Sequence, residues 1–263
     1  MKVGDLEILP VIDGTGREQA REVLTAPGDD RWACHPEHLD ADGNLELTLG
    51  GFLVRTGDRV VLVDAGVGRI RNDHYAGGGF LDALAALGVT PDQVTDVVFT
   101  HLHFDHVGWA TSRGEVVFDR ATYRVHEADW VHFVEAADAD PGAVRKLAPL
   151  RERLETFDAE HTVVPGLDAR PTPGHTPGST TYVVSGRGQR ALLIGDVAHS
   201  VVELEEPDWQ ATFDVDPLAA QAMRRRLADE VADTDDLVVP AHLPGLAWGR
   251  IVTFGETRRF VAV

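Results

Sequence analysis

Apolar residues occur along the chain in two spacings, and each spacing predicts a different kind of element. Short runs rich in Val, Leu and Ile that are bounded by Gly, Pro or Asp predict β-strands. The longer runs are residues 45–56, 59–64, 96–100, 161–164, 180–184, 191–194 and 237–239, and a smaller pair is 116–118 and 122–126. Because these runs occur on both sides of the chain's midpoint, we expect two β-rich halves.

Helical spacing occurs between these runs. Apolar residues recur every three or four positions over residues 80–87, and Gly88 suits the position just after a helix. Asp216-Pro217 predicts an N-cap followed by proline at the first helical position. Residues 127–156 have a helical composition that is interrupted near an Asp-Pro-Gly sequence. The chain therefore combines strands and helices throughout.

The alternation predicts an α/β protein with a single domain over residues 1–263 and a helical insert at about 127–156. Helices distributed in this way suit the outer faces of two facing sheets. The chain has 263 residues, of which 43% are hydrophobic and 25% are charged, as in an average globular protein. Its apolar runs are far shorter than the roughly 20 residues that a transmembrane helix needs, so we expect no membrane association.

The net charge and the single cysteine indicate which binding partners and which cellular compartment to expect. The chain carries 43 acidic and 24 basic residues, a net charge of −19. Nucleic acids and anionic membranes require a basic surface, so we expect neither as a partner. The basic run Arg224–Arg226 is expected on the solvated face of a helix. Cys34 has no second cysteine to pair with, and residues 1–10 lack the apolar core of a signal peptide, so we expect a cytoplasmic protein.

The most specific pattern is THLHFDH, residues 100–106, which directly follows a strand of buried type. In extended backbone His101 and His103 project to the same side, and Asp105 and His106 follow at the turn. Three imidazoles and a carboxylate within six residues would be unfavourable neighbours without a cation between them. Neutral imidazole and carboxylate are ordinary ligands of zinc and similar divalent ions. The segment therefore predicts a metal site.

Three later segments each offer one more ligand at the end of a strand. His175 lies in the Gly- and Pro-rich loop TPGHTPGS, Asp196 follows the strand at 191–194, and His242 follows the strand at 237–239. Together with residues 100–106 they supply enough ligands for two adjacent metals.

These motifs give the sequence a family resemblance. In their order along the chain, HLHFDH, PGHTPGS, the Gly-Asp after a strand and the late His242 resemble the metallo-β-lactamase-fold superfamily of metal-dependent hydrolases. The strand that ends in Val63-Asp64-Ala65-Gly66 matches as well, so the resemblance covers about residues 45–245. It implies a four-layer αβ/βα sandwich with the metals at one edge, between the two sheets.

The resemblance also implies a role for each candidate ligand. The first metal would be bound by His101, His103 and His175, the second by Asp105, His106 and His242, and both would be bridged by Asp196. Asp64 is similar to a carboxylate that orients a ligand histidine through its other ring nitrogen. The cofactors would be two divalent ions, with zinc as the expected metal and manganese, cobalt or iron as alternatives.

Within the superfamily the chain is most similar to the lactonase and esterase branch, which includes N-acyl-homoserine lactonases. Asp196 argues against true β-lactamases, which generally lack that carboxylate. The resemblance implies that a metal-bridging hydroxide attacks a lactone or related ester carbonyl, and that Asp105 passes a proton to the leaving alkoxide. His199 stands where quorum-quenching lactonases often have a tyrosine that contacts the substrate carbonyl, so it is a second catalytic candidate.

Other activities fit the same residues. Hydrolysis of phosphotriesters, thioesters or β-lactams would use the same two metals. A mono-iron oxidative enzyme of this fold would need one iron, and a metal-binding or sensing protein would show no turnover. In the hydrolase interpretation the partner is a small-molecule substrate with an apolar portion, and the protein is a monomer or a homodimer.

Aromatic residues near the ligand segments are candidate walls for that substrate. Phe52, Phe104 and Trp109 either line the site or belong to the core. The helical insert, which contains Trp130, His132 and Phe133, either caps the site or packs against its surroundings. An apolar acyl group would be the natural occupant of a capped site.

Overall fold

The computed structural model describes residues 1–28 and 30–263, whose strands form one sheet of eight, one sheet of seven and two short pairs. The eight-stranded sheet contains β1 (Lys2–Val3), β2 (Leu6–Gln19), β4 (Asn44–Thr56), β5 (Arg59–Val63), β6 (Tyr75–Ala76), β7 (Asp96–Val98), β10 (Thr122–His126) and β11 (Leu154–Phe157). The seven-stranded sheet contains β12 (His161–Val164), β13 (Leu167–Pro171), β14 (Thr180–Gly186), β15 (Gln189–Gly195), β17 (Leu237–Pro240), β18 (Gly249–Phe254) and β19 (Thr257–Ala262). The short pairs join β3 (Leu24–Thr25) to β16 (Gln210–Ala211), and β8 (Thr111–Ser112) to β9 (Glu115–Val116).

Helices connect these strands. The α-helices are α1 (Ala20–Val23), α2 (Phe80–Ala86), α3 (Glu127–Trp130), α4 (Pro141–Leu147), α5 (Val201–Glu205) and α6 (Pro217–Val231). A π-helix spans Val131–Glu135, and 3₁₀ turns span Arg31–Cys34, Pro36–His38, Pro91–Gln93, Ala148–Arg153 and Pro244–Leu246. Along the described part of the chain, no helix combines the length and the apolar character that crossing a membrane requires.

The central strands of both sheets run parallel to a neighbour. In the first sheet β5, β7, β10 and β11 are parallel, and in the second sheet β15 is parallel to β17. Parallel strands end at the same edge of their sheet, and the loops that follow those ends are the usual place for a ligand site in α/β proteins. The topology therefore brings the loops after β5, β7, β15 and β17 to sheet edges.

Successive side chains of the central strands point alternately into the core between the two sheets and toward the helices outside. In β5, Val61 and Val63 belong to the core between the sheets together with Leu193 and Val239, whereas Leu62 packs on the side of α2. Because successive side chains of a strand point to opposite faces, a strand buried on both faces has a continuous apolar sequence. Such a sequence, Val60 to Val63, predicts this strand correctly.

The second sheet is covered in the same way. Leu192 and Ile194 of β15 pack with Leu227 and Val231 of α6, on the face opposite the first sheet. The order of layers is helices, sheet, sheet and helix, which confirms the expected α/β sandwich. Helix α6 begins as its sequence predicts, since the carboxylate of Asp216 accepts a hydrogen bond from the backbone N–H of Ala219 at 3.0 Å.

Two parts of the secondary-structure prediction are wrong. The segment 116–118 does not pair with 122–126, because β9 pairs with β8 while β10 joins the large sheet next to β7. The helical composition of 127–156 also extends too far, since Leu154 begins strand β11 and lies beside Tyr123 of β10. The helical residues form the crossover between these two parallel strands, a connection that is usually helical.

Strand β2 has no counterpart in the predicted elements. Its sequence lacks clean alternation because Asp13, Gly14 and Gly16 interrupt it, and its register with β4 shifts between Ile12 and Gly14. A Cβ atom at Gly14 would lie 1.8 Å from the carbonyl oxygen of Ala76, so only glycine fits this close approach. The irregular composition therefore has a structural cause.

Candidate metal centre

The candidate ligands predicted from the sequence meet at one edge of the sandwich. His101, His103, Asp105 and His106 lie in the loop after β7, and His175 lies in the loop between β13 and β14. Asp196 directly follows β15, and His242 lies two residues after β17. The donor atoms of these residues form groups in which all members lie within 4.8 Å of one another.

The first group consists of three imidazoles. Nδ1 of His103 lies 3.0 Å from Nε2 of His101 and 3.0 Å from Nε2 of His175. Burial and the neighbouring imidazole of His175 lower the pKa of His103 to about 3. Burial also lowers the pKa of His101 and of His175. Burial thus favours the neutral form of all three rings, whose ring nitrogens approach a common point.

The second group consists of Asp105, His106 and His242. Oδ2 of Asp105 lies 3.8 Å from Nε2 of His106 and 3.5 Å from Nε2 of His242. Nδ1 of His242 lies 3.2 Å from the carbonyl oxygen of Thr48, and this contact turns the other ring nitrogen toward the group.

Asp196 lies between the two groups and presents one oxygen to each. Oδ2 lies 3.7 Å from Nε2 of His101 and 3.5 Å from Nε2 of His175. Oδ1 lies 3.3 Å from Nε2 of His106 and 3.1 Å from Nε2 of His242. This is the arrangement that a carboxylate shared by two adjacent cations would have.

The donor set fits two divalent cations. Among the described residues, Nε2 of His106 and Oδ1 of Asp196 are buried without a hydrogen-bond partner, which is costly unless something else satisfies them. Nδ1 of His103 also faces two imidazole nitrogens, and neutral imidazoles cannot supply a proton for every such contact. Cations accept all these lone pairs at once, and mixed imidazole and carboxylate sets suit zinc, manganese, cobalt and iron.

Asp64 contacts His106 of the second group and holds its ring in position. Its carboxylate accepts hydrogen bonds at 2.8 Å from both the N–H and the hydroxyl of Thr100, and it lies 2.9 Å from Nδ1 of His106. The residue has a φ of 64°, an uncommon conformation for a residue other than glycine. That backbone turn after β5 places the carboxylate under the His106 ring and directs Nε2 into the centre.

His199, the second catalytic candidate, also lies in the centre. Its Nε2 is 3.5 Å from Oδ2 of Asp196, and with His175 and Asp196 it forms a further group of potential metal ligands. Burial opposes protonation of the ring, but the carboxylates of Glu203 and Asp196 outweigh burial and raise its pKa to about 10.

A buried arginine connects residues that support the centre. Nη2 of Arg224 lies 2.9 Å from Glu203, which contacts His199, and 3.6 Å from Asp214. Oδ1 of Asp214 lies 3.0 Å from Nδ1 of the candidate ligand His175. The expectation that Arg224 lies on a solvated face is wrong, because its side chain is 0% exposed.

The sequence contains a signal that could have identified this network. Ala220, Arg224, Leu227 and Val231 follow helical spacing, and these residues form the buried face of α6. Ser200 and Glu203 also form a capping box at the start of α5. Asp214 has no comparable local signal.

A cavity opens over the two groups. It is lined by Asp105, His175, Asp196, His199 and other residues of the centre, and its apolar walls are Leu47, Tyr75, Phe104 and Phe213. The Phe104 ring is half exposed and meets the Tyr75 ring edge at a centroid distance of 5.2 Å. Tyr75 has no motif around it that predicts this position.

Of the other Trp and Phe candidates, one contacts the centre and the others are buried elsewhere. Trp109 donates its indole N–H to the buried carboxylate of Asp13 at 3.0 Å, and Phe52 lies in the core between the sheets. In the helical crossover Trp130 is buried, whereas the ring of Phe133 lies 5.4 Å from that of His103. Phe133 is thus the aromatic side chain of this segment that contacts the centre.

Comparisons with known proteins agree with this geometry. A family model for the metallo-beta-lactamase superfamily matches residues 51–242. An N-acyl homoserine lactonase of a Bacillus species is 25% identical over 199 residues, which cover 69% of this chain and 76% of that protein. One similar structure is that of AidC, a dizinc quorum-quenching lactonase in complex with the product N-hexanoyl-L-homoserine. The two structures align with a TM-score of 0.89 at 22% sequence identity. The match covers 99% of this chain and 95% of that one. The hydrolase AbOPH of the beta lactamase superfamily has a TM-score of 0.86 at 25% identity, over 100% of this chain and 96% of that one.

Proposed function

The chain belongs to the metallo-beta-lactamase superfamily of metal-dependent hydrolases, and we propose that it hydrolyses N-acyl homoserine lactones or related small esters. Two kinds of similarity support this substrate class. A lactonase from Bacillus aligns with most of the chain, and the fold matches that of a quorum-quenching lactonase over nearly its whole length.

The position of Asp196 carries the proposal. One carboxylate with an oxygen toward each donor group is what a pair of cations requires. We propose that the first cation is held by His101, His103 and His175, the second by Asp105, His106 and His242, and that both are zinc. Two such cations supply a nucleophile from water at neutral pH and polarise a substrate carbonyl.

Asp105 is our candidate for proton transfer to the leaving alkoxide. Its side chain is 13% exposed and lines the cavity, so a leaving group bound there can reach it. Oδ2 faces His106 and His242. Oδ1 would therefore be the atom that carries the proton to the alcohol product.

His199 is our candidate for orienting the substrate carbonyl. The ring lines the cavity, and within the described residues its Nε2 is buried without a hydrogen-bond partner. Glu203 contacts Nδ1 and accepts a hydrogen bond from the His199 backbone N–H at 2.6 Å, so the ring is held in place. A carbonyl oxygen in the cavity would give Nε2 the partner it lacks.

The walls of the cavity favour a substrate with an apolar portion. Leu47, Tyr75, Phe104 and Phe213 surround the opening above the donor groups. A fatty acyl chain would bury these partly exposed surfaces, whereas a fully polar substrate would leave them in contact with water. We therefore propose an acyl lactone or acyl ester as the natural type of substrate.

A substrate panel tests the proposal on protein of known metal content. The panel contains acyl-homoserine lactones, aryl esters, a paraoxon-type phosphotriester, an acyl thioester and nitrocefin. We expect the highest kcat/KM for a lactone, and no turnover after metal depletion. Higher kcat/KM for the phosphotriester, thioester or β-lactam would replace the lactonase proposal, and full turnover without metal would refute the metal chemistry. One iron per chain together with oxygen uptake would indicate the oxidative alternative.

A further inference from the structure

We propose that His35, Glu37 and His38 form a third cation site outside the two-metal centre. Oε1 of Glu37 lies 4.0 Å from Nδ1 of His35 and 3.7 Å from Nε2 of His38. The potential ligand atoms of the three residues lie within 4.8 Å of one another. These separations resemble those around Asp105 and Asp196 in the main centre, where carboxylate oxygens lie 3.1–3.8 Å from imidazole nitrogens.

The local backbone explains why two histidines face one carboxylate. Pro36–His38 form a 3₁₀ turn, and side chains three residues apart in such a turn lie on the same side. His35 and His38 have this separation, and their rings are stacked with an interplanar angle of 27° and centroids 6.2 Å apart. Pro36 restricts the backbone at the start of the turn, which reduces the entropy lost when the ligands are ordered.

A second carboxylate lies beside the other ring nitrogen of His35. Nε2 of His35 lies 3.2 Å from Oε1 of Glu206, and the His35 residue is 8% exposed. Glu206 is itself fixed, since it pairs with Arg31 and accepts a hydrogen bond from the indole N–H of Trp209 at 3.2 Å. Among the described residues Nε2 of His35 has no hydrogen-bond partner, so the 3.2 Å separation is a contact with Glu206 and not a hydrogen bond. A cation on Nδ1 would place the ring proton on Nε2, where the Glu206 carboxylate is the neighbouring negative charge. Metal-binding histidines usually have this carboxylate on the nitrogen away from the metal.

The ligand chemistry selects the class of cation. Two imidazoles and one carboxylate form a set that zinc accepts with a water as the fourth ligand. The net charge of −19 favours the approach of cations over anions to the protein as a whole. Asp40 and Glu46 line the same cavity as Glu37 and His38, and Arg17 pairs with Asp40, so Glu46 is the further carboxylate that adds negative charge there.

The site lies beside the main centre without sharing a ligand with it. A cavity of about 290 Å³ is lined by Glu37 and His38 at one side and by His199 and His242 at another. A cation bound by His35, Glu37 and His38 would fix one wall of this cavity. Through His35 the cation would also be connected to Glu206, which directly follows α5. That helix carries Glu203, which contacts His199.

Zinc binding to the full-length, metal-depleted protein tests the proposal. We expect three equivalents in a competition titration with a chromophoric chelator, with the third bound more weakly than the first two. His38→Gln should retain two equivalents and lose the third, and Glu37→Gln should weaken the third by tenfold or more. His161→Gln, which replaces a partly exposed histidine on β12, is the matched control and should retain three.

The outcomes separate this proposal from the catalytic one. Two equivalents in the unchanged protein, or a third equivalent that survives both His38→Gln and Glu37→Gln, would refute the third site. Glu37 and His38 are 61% and 28% exposed at their side chains, so these substitutions are not expected to disturb folding. Fewer than two equivalents in the unchanged protein would instead contradict the two-metal centre.

Discussion

Arg224 shows how one residue can organise a site that it does not touch. Its guanidinium lies between Glu203 and Asp214, and these carboxylates contact His199 and His175 respectively. The side chains of Arg224, Glu203 and Asp214 are 0% exposed. Removing the arginine would leave Asp214 and Glu203 buried without the guanidinium charge that lies between them, and breaking a buried ion pair from one side costs about 3–5 kcal/mol.

Arg224→Met is therefore expected to lower the free energy of unfolding by about 3–5 kcal/mol, measured by chemical denaturation of metal-depleted protein. The matched control is Arg225→Met on the same helix. Arg225 pairs with Asp208 where their side chains are 55% and 59% exposed, and exposed pairs contribute about 0–1 kcal/mol. Equal losses in the two variants would contradict the role assigned to Arg224.

At the scale of elements, the strands that are buried on both faces are the ones that the sequence predicts best. Strands β5, β7, β15 and β17 are buried on both faces, so continuous apolar runs reveal them, and three of them lead directly into candidate ligands. Strand β19 lies at a sheet edge and is largely exposed, and its sequence TRRFVA has no such run. Strand β11 has a composition that also suits a helix, and its pairing with β10 decides the outcome.

Helix α3 connects to the loop of His175 through one buried carboxylate. Asp129 accepts hydrogen bonds from the hydroxyl of Thr176 at 2.9 Å and from the N–H of Gly178 at 2.6 Å. Burial raises the pKa of Asp129 to about 6, although these hydrogen bonds oppose the change. A carboxyl group with a higher pKa in the folded state binds more protons there, so its contribution to stability falls as pH rises from about 4 to about 6.

Asp129→Asn should remove this pH dependence. Between pH 4 and 6.5 the unfolding free energy of the variant should rise relative to wild type by on the order of 2–3 kcal/mol, measured by urea denaturation at each pH. Asp138→Asn, at an exposed position of the same crossover, is the control and should show a nearly constant difference. A constant difference for Asp129→Asn would contradict the raised pKa.

At the scale of the whole molecule, the two sheets each supply part of one site. The loops after β5 and β7 provide Asp64 and residues 101–106, and the second sheet provides His175, Asp196 and His242. The sequence motifs and their family resemblance predict these candidate ligands because each of them follows a strand end. The residues that support them, such as Glu203 and Asp214, come from segments without such motifs. Because both sheets contribute candidate ligands, cation binding should also stabilise the association of the two sheets.

Anomalous diffraction at the zinc absorption edge, from crystals of the zinc-loaded protein, tests the central claim most directly. The account predicts two peaks flanking Asp196, one beside His103 and His175 and the other beside His106 and His242. A map with no peak between these side chains, or with a single peak that Asp196 does not contact, would contradict the account.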